Sequence, residues 1–379
     1  MIVLLAPDKF RGSLTAREAG EAMAAGVLRA RPDTDVVIQP VADGGEGTVE
    51  AFLDRGWRGQ PVRVQGPTGE PHDVQVARSA SGDAVVELAA CCGAPALTRR
   101  SAPREATSRG AGDAVAQVLR DGARHVLIGL GGSVSTDGGM GFLAALGVVL
   151  RDSSGRRLPP EPRSLHDVAV VDTMHLLPQL SGAVLTFAVD VDNPLTGANG
   201  AAAVFGPQKG ASPADVDWLA AGLDRWATVL GAGVGRLPGG GAAGGVAAGV
   251  TGALHGVADV RIVSGAATLI SVLGVDELVQ SSDLVVTGEG CFDRQSLAGK
   301  APIEVIRVAS ASATPCAVVA GRSTLGQPEL AGLDLIQCVS LTDEARDGED
   351  SMRDAWQLVT RATNDIVREF VAPPGARRS

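Results

Sequence analysis

The chain has 379 residues, enough for two domains at about 150 residues each, and its 45% hydrophobic and 20% charged residues exclude disorder and a collagen-like repeat. A net charge of −10 argues against nucleic acid or an anionic membrane surface as partner, because both need a basic face. Two counts are unusual: 50 glycines, and only three lysines (Lys9, Lys209 and Lys300) among 33 basic residues.

Residues 2–6 are apolar, lack a basic lead and run straight into Asp8, Lys9 and Arg11, which reads as a buried strand and not a signal peptide. Thr15 and Glu18 form a capping box for a helix over about 14–29, with an apolar stripe at Leu14, Met23, Val27 and Leu28. A strand at 35–41 and a short helix at 49–54 complete a βαβα opening, the signature of a parallel sheet. Polarity then alternates at 61–65, 73–77 and 84–88 with turns between, predicting hairpins and a domain boundary near residue 60.

A helix near 112–121, a strand at 125–129, a helix near 141–146 and a strand at 183–189 follow, and helices should dominate 213–273. Residues 237–258 are uncharged, but Gly and Ala supply too little transfer energy for a membrane span. The chain therefore reads as soluble and cytoplasmic. Strands at 283–287, 316–320 and 335–340 alternate with helices at 302–311 and 352–370, and the Pro-, Gly- and Arg-rich tail beyond Ala372 should fray. The expected fold is α/β with two domains. Residues 1–60 and 276–379 form a doubly wound, Rossmann-like parallel sheet, and 61–275 an inserted second α/β domain with a mixed sheet.

Ligands in such sheets bind outside the carboxyl ends of strands, where this chain places its charged and glycine-rich loops. After the first strand come Asp8, Lys9 and Arg11. After the second comes Asp43 among glycines, able to bind a hydroxyl or a metal, or to cap the helix that follows. The 129–141 loop holds six glycines with Ser133, Ser135, Thr136 and Asp137, a composition suited to a nest of amides around phosphate oxygens. It lacks the dinucleotide fingerprint, since Val134 stands where that motif needs Gly.

Asp190 and Asp192 follow the 183–189 strand, as metal ligands, as a general base or as an Asx-turn before Pro194. Lys209 lies in a loop bounded by Gly206-Pro207 and Gly210. The 288–300 segment offers glycine amides, Glu289, Asp293 and Lys300 without matching a Walker A loop. Ser108 and Arg109 at a helix start suit a carboxylate or phosphate. Five cysteines without a C-x-x-C indicate neither a disulfide framework nor a zinc site.

At these loops the chain resembles the type I glycerate kinases. The matching stretches are "APDKFRGSLTA", "VADGGEGTVEA", "ATSRGAGD", "GLGGSVSTDGG", "DVDNPL", "FGPQKGA", "GAAGG" and "VVTGEGCFDRQSLAGKAP", in the family's order over residues 1–370. The resemblance implies ATP- and Mg²⁺-dependent phosphorylation of D-glycerate, with 2-phosphoglycerate favoured as product, in a two-domain α/β protein whose active site lies in the cleft between the domains. The family more often has Ser at Lys9, Lys at Arg11 and Thr at Asp192, which favours Arg11 as the local cation and Asp190 as the acid.

The roles expected on this basis follow from phosphoryl transfer, which asks for positioning and charge stabilisation. Asp190 and Lys300 are the expected catalytic groups. Asp8, Arg11, Asp43, Ser108 and Arg109 are expected to bind substrate, and Glu289 and Asp293 the metal. Gly131, Gly132, Ser133, Asp137, Lys209, Gly288 and Gly290 are expected around ATP. The partners implied are glycerate and ATP, with no nucleic acid or membrane and a homodimer left open. A nucleotide-dependent dehydrogenase of a small hydroxy acid and a non-catalytic sugar-acid sensor are the alternatives.

Overall fold

In a computed structural model, residues 1–96, 103–347 and 349–372 are described. The 373–379 part of the tail lies outside them. The chain divides into two units, Met1–Ala42 with Ala266–Ser379, and Asp43–Gly265. Among the described residues no helix is long and apolar enough to cross a membrane.

The first unit carries five parallel strands in the spatial order Gln337–Ser340, Cys316–Ser323, Leu284–Phe292, Ile2–Pro7, Asp35–Ile38. Counted along the chain, this is the doubly wound order 2-1-3-4-5, which reverses direction between Ile2–Pro7 and Leu284–Phe292. Alternate residues serve opposite faces of the sheet. Val3, Leu5, Leu284, Val286, Ala317 and Val319 join one core with Ala19, Met23 and Val27 of helix Ala16–Ala30 and with Leu358 and Val359 of helix Ala355–Val371. The intervening Leu4, Val285 and Val318 are equally buried outside that core, and helix Ala301–Ala311 packs on these strands with Ile303 and Ile306 buried. The Thr15–Glu18 capping box forms, with the Glu18 amide donating to Thr15 Oγ1 at 3.2 Å and the Thr15 amide to Glu18 Oε2 at 2.8 Å.

The second unit carries a six-stranded mixed sheet in the order Asp259–Ser264, Val184–Val189, His125–Gly129, Ala84–Glu87, Pro71–Arg78, Arg58–Gln65. The first four are parallel, and the last two turn back as an antiparallel hairpin. Two elements differ from the sequence reading. Asp259–Ser264 is an edge strand within the stretch expected to be helical, with Asp259 and Arg261 exposed and Val260 and Ile262 half-buried. Val149–Asp152 and Val168–Asp172 pair as a separate two-stranded ribbon. The core gathers around Phe142, Phe187 and Trp226, with the two phenylalanine rings edge to face at 5.8 Å.

Candidate functional site

In the first unit the chemistry collects where the strand order reverses, the place such sheets hold ligands. Asp8 follows the Ile2–Pro7 strand directly, and its amide donates to the Gly288 carbonyl oxygen at 2.8 Å. The neighbouring strand does not end at residue 287, as its glycines suggest, but runs on to Phe292. Gly288 and Gly290, expected as nucleotide contacts, lie within it. A Cβ on Gly288 would meet the Val319 carbonyl, and one on Gly290 would come 3.0 Å from the Arg11 amide nitrogen. Their bareness thus already serves strand packing.

Between them Glu289 is 6% exposed. Its Oε2 lies 3.7 Å from Lys300 Nζ, while Oε1 is buried and without a hydrogen-bond partner. Burial, with the Asp8 and Asp293 carboxylates adding to it, outweighs a hydrogen bond from the Ser296 side chain and the Lys300 ammonium and pushes the Glu289 carboxyl up to about 7. Asp293 Oδ1 accepts from the Gln295 and Ser296 amides and so turns the chain towards Lys300, which caps helix Ala301–Ala311. Asp8, Glu289, Asp293 and Lys300 therefore form one charged group. Lys9 Nζ lies 3.7 Å from Asp8 Oδ1, and Arg11 is exposed on the turn beyond. Among the described residues no cluster of three or more His, Cys, Asp or Glu has the arrangement of a metal cage.

In the second unit the site is built from backbone pressed against backbone. Asp43 Oδ1 accepts from the Gly45 amide at 3.1 Å, and the Gly131 amide donates to the Gly44 carbonyl at 3.1 Å. A Cβ on Gly129 or Gly131 would run into Gly44 or Gly45. Glu87, at the carboxyl end of its strand, accepts from the Gly47 and Val49 amides at 3.1 and 3.2 Å and holds the start of helix Thr48–Asp54. Sequence reading missed this carboxylate, although its place at a strand end was the available signal.

Asp137, expected near ATP, is fully buried and saturated. Its carboxylate accepts from the Ser108 amide and hydroxyl, both at 2.8 Å, from Thr107 Oγ1 at 3.2 Å, and from the Gly139 and Gly141 amides at 3.1 Å. Ser108 is engaged in the same knot and also accepts from the Phe142 amide at 3.0 Å. Both residues shape the loop from within. Arg109 Nε lies 3.7 Å from Asp113 Oδ1 on the same helix.

The helix Ala242–Ala253 crosses the 129–141 loop at this point. Gly138 donates to the Gly244 carbonyl at 3.0 Å and accepts from the Trp226 indole at 2.8 Å. Ala243, Gly244 and Gly245 have φ of 51°, 68° and 98°, a left-handed kink that brings the helix onto Ser135 and Gly138. Gly244, Gly245 and Gly249 leave room for that approach.

Over the loop lies a cavity of about 160 Å³. Gly131, Gly132 and Ser133 form one part of its wall, Asp190 and Lys209 the charged part, and Phe205 with Ala242 an apolar part. The Lys209 ammonium donates to the Ser135 carbonyl oxygen, and burial holds its pKa down to about 8 against the pull of Asp137. The structure thus brings Gly131, Gly132, Ser133, Asp190 and Lys209 together. Asp43, Ser108, Arg109 and Asp137 do not line this cavity.

Residues 3–371 match the model of the Glycerate kinase family. The chain is 37% identical to a glycerate 2-kinase of Escherichia coli K12 and 36% to a glycerate kinase of Bacillus subtilis 168, each match covering 97% of both chains. A crystal structure of a putative glycerate kinase 2 from Salmonella typhimurium LT2 superposes with a TM-score of 0.81 at 33% identity, again over 97% of both chains.

Proposed function

Because the chain belongs to the glycerate kinase family over nearly its whole length, we propose that it transfers the terminal phosphoryl group of ATP to a hydroxyl of D-glycerate. The hydroxyl oxygen bonds to the γ-phosphorus as the bridge to the β-phosphate breaks, and ADP, phosphoglycerate and a proton leave. The full-length match to relatives named for this activity carries the reading. The name of the E. coli relative supports the 2-hydroxyl as acceptor. A dehydrogenase is not favoured, since the strand order and loop chemistry offer no dinucleotide fingerprint. A silent sensor is not favoured against relatives named as kinases.

Such a transfer is driven by positioning and by neutralising charge on the phosphoryl oxygens. Asp190 orients the acceptor hydroxyl and takes its proton. Lys300 supplies positive charge to the phosphates. A Mg²⁺ ion, which keeps several waters and takes only one or two carboxylates beside phosphates, would be held by Glu289 and Asp293. The buried, unpartnered Glu289 Oε1 is the observation that favours it. Bound there, the ion would screen the phosphate oxygens.

A coupled assay of ADP release tests the reading. Turnover with D-glycerate and ATP, a 2-phosphoglycerate signal by phosphorus NMR, and a fall of about 10²–10⁴ in kcat for Asp190→Asn are expected. Glycerate binding without ADP release would overturn it, and near-normal turnover of Asp190→Asn would remove that residue from the role.

A further inference from the structure

The cavity of the second unit differs in size and polarity from a nucleotide site. Its volume of about 160 Å³ is that of roughly five water molecules and lies below the about 300–1,000 Å³ of clefts that enclose drug-sized molecules. A three-carbon acid fits within it. Its wall carries one carboxylate, Asp190, and one ammonium, Lys209, with apolar surface from Phe205, Val191 and Ala242. Triphosphate oxygens call for several cations or a bound metal ion. A small hydroxy acid calls for one cation at its carboxylate and one acceptor at its hydroxyl.

We propose that this cavity is the acceptor pocket, in which Lys209 binds the carboxylate of glycerate and Asp190 receives its reacting hydroxyl. The inference rests on the kinase reading and redirects Gly131, Gly132, Ser133 and Lys209 from the nucleotide to the acceptor. Ser135 fixes the lysine: its carbonyl takes one of the three ammonium donors, which leaves Nζ located and two donors to offer.

The test separates acceptor from donor. In Lys209→Met, KM for glycerate should rise about tenfold or more, KM for ATP should stay within about twofold, and the preference for glycerate over neutral glycerol should shrink by a similar factor. Ala242→Leu, which fills the cavity without touching its charges, should raise glycerate KM likewise and spare ATP. In the unmodified enzyme, with only three lysines to follow, glycerate without nucleotide should protect Lys209 from reductive methylation and ATP alone should not. An ATP-specific KM defect in either variant, or protection of Lys209 by ATP and not by glycerate, overturns the pocket assignment while the kinase reading stands. Failure of the unmodified enzyme to release ADP with glycerate overturns the kinase reading itself.

Discussion

In the 129–141 loop the single carboxylate, Asp137, is fully buried among five donors, whereas Glu289 reaches nearly the same depth in the other unit with one oxygen unpartnered. Both are acids flanked by glycine, and composition alone treats them alike. The physical difference is what compensates the lost hydration. A buried carboxylate is tolerable when hydrogen bonds replace water, and costly when they do not. Around Asp137 the fold's own amides and hydroxyls replace the lost water, so it organises the loop. Glu289 is pushed up to about 7 because its surroundings supply too little, so it remains responsive to a proton or a cation.

The sharpest way to break this contrast is to neutralise each acid in turn. Asp137→Asn keeps the shape but replaces an acceptor oxygen with a donor facing donors, and should lower stability by about 3 kcal/mol. Chemical denaturation would show it as a shifted midpoint at unchanged slope. Glu289→Gln removes a charge that the fold does not satisfy, so its stability should hold or rise slightly. Its loss should appear in activity at limiting Mg²⁺, by about tenfold to hundredfold. Equal losses of stability in the two variants would erase the distinction between an organising acid and a responsive one.

The elements whose signals are local were legible in sequence: the capping box at Thr15 and Glu18, the strand at His125–Gly129, and the closing βα alternation. Misreadings share a cause, which is that the deciding partner lies far along the chain. Gly288 and Gly290 read as a loop because glycine is rare in strands, yet the backbone of Val319 and of Phe10–Arg11 passes too close for a side chain. The burial of Asp137 was not legible because its Ser108 partner is 29 residues away. Asp190 and Lys209 were each visible as charged groups in small-residue loops, but their shared cavity is a property of the folded unit.

The glycines of helix Ala242–Ala253 extend the comparison to positions without charge. Helix propensity favours Ala over Gly by about 1 kcal/mol, so an unhindered substitution there would stabilise the helix. Gly249 should show the opposite sign, because a Cβ at that position runs into the Gly138 carbonyl oxygen, which is backbone and already accepts from Trp226. Separating the helix from the loop to admit the methyl group should cost more than the propensity gain, leaving Gly249→Ala destabilised by about 1–2 kcal/mol. Gly252, three residues on, supplies the control. Its Cβ would meet Leu230 Cβ at 2.9 Å and Val234 Cγ2 at 3.1 Å, a milder overlap in which the valine can rotate and the leucine Cβ yields only by a small shift of its helix. Gly252→Ala should therefore lose clearly less stability than Gly249→Ala in the same denaturation experiment. Equal effects at the two positions would mean that propensity, and not the backbone crossing at Gly138, accounts for the glycines in this helix.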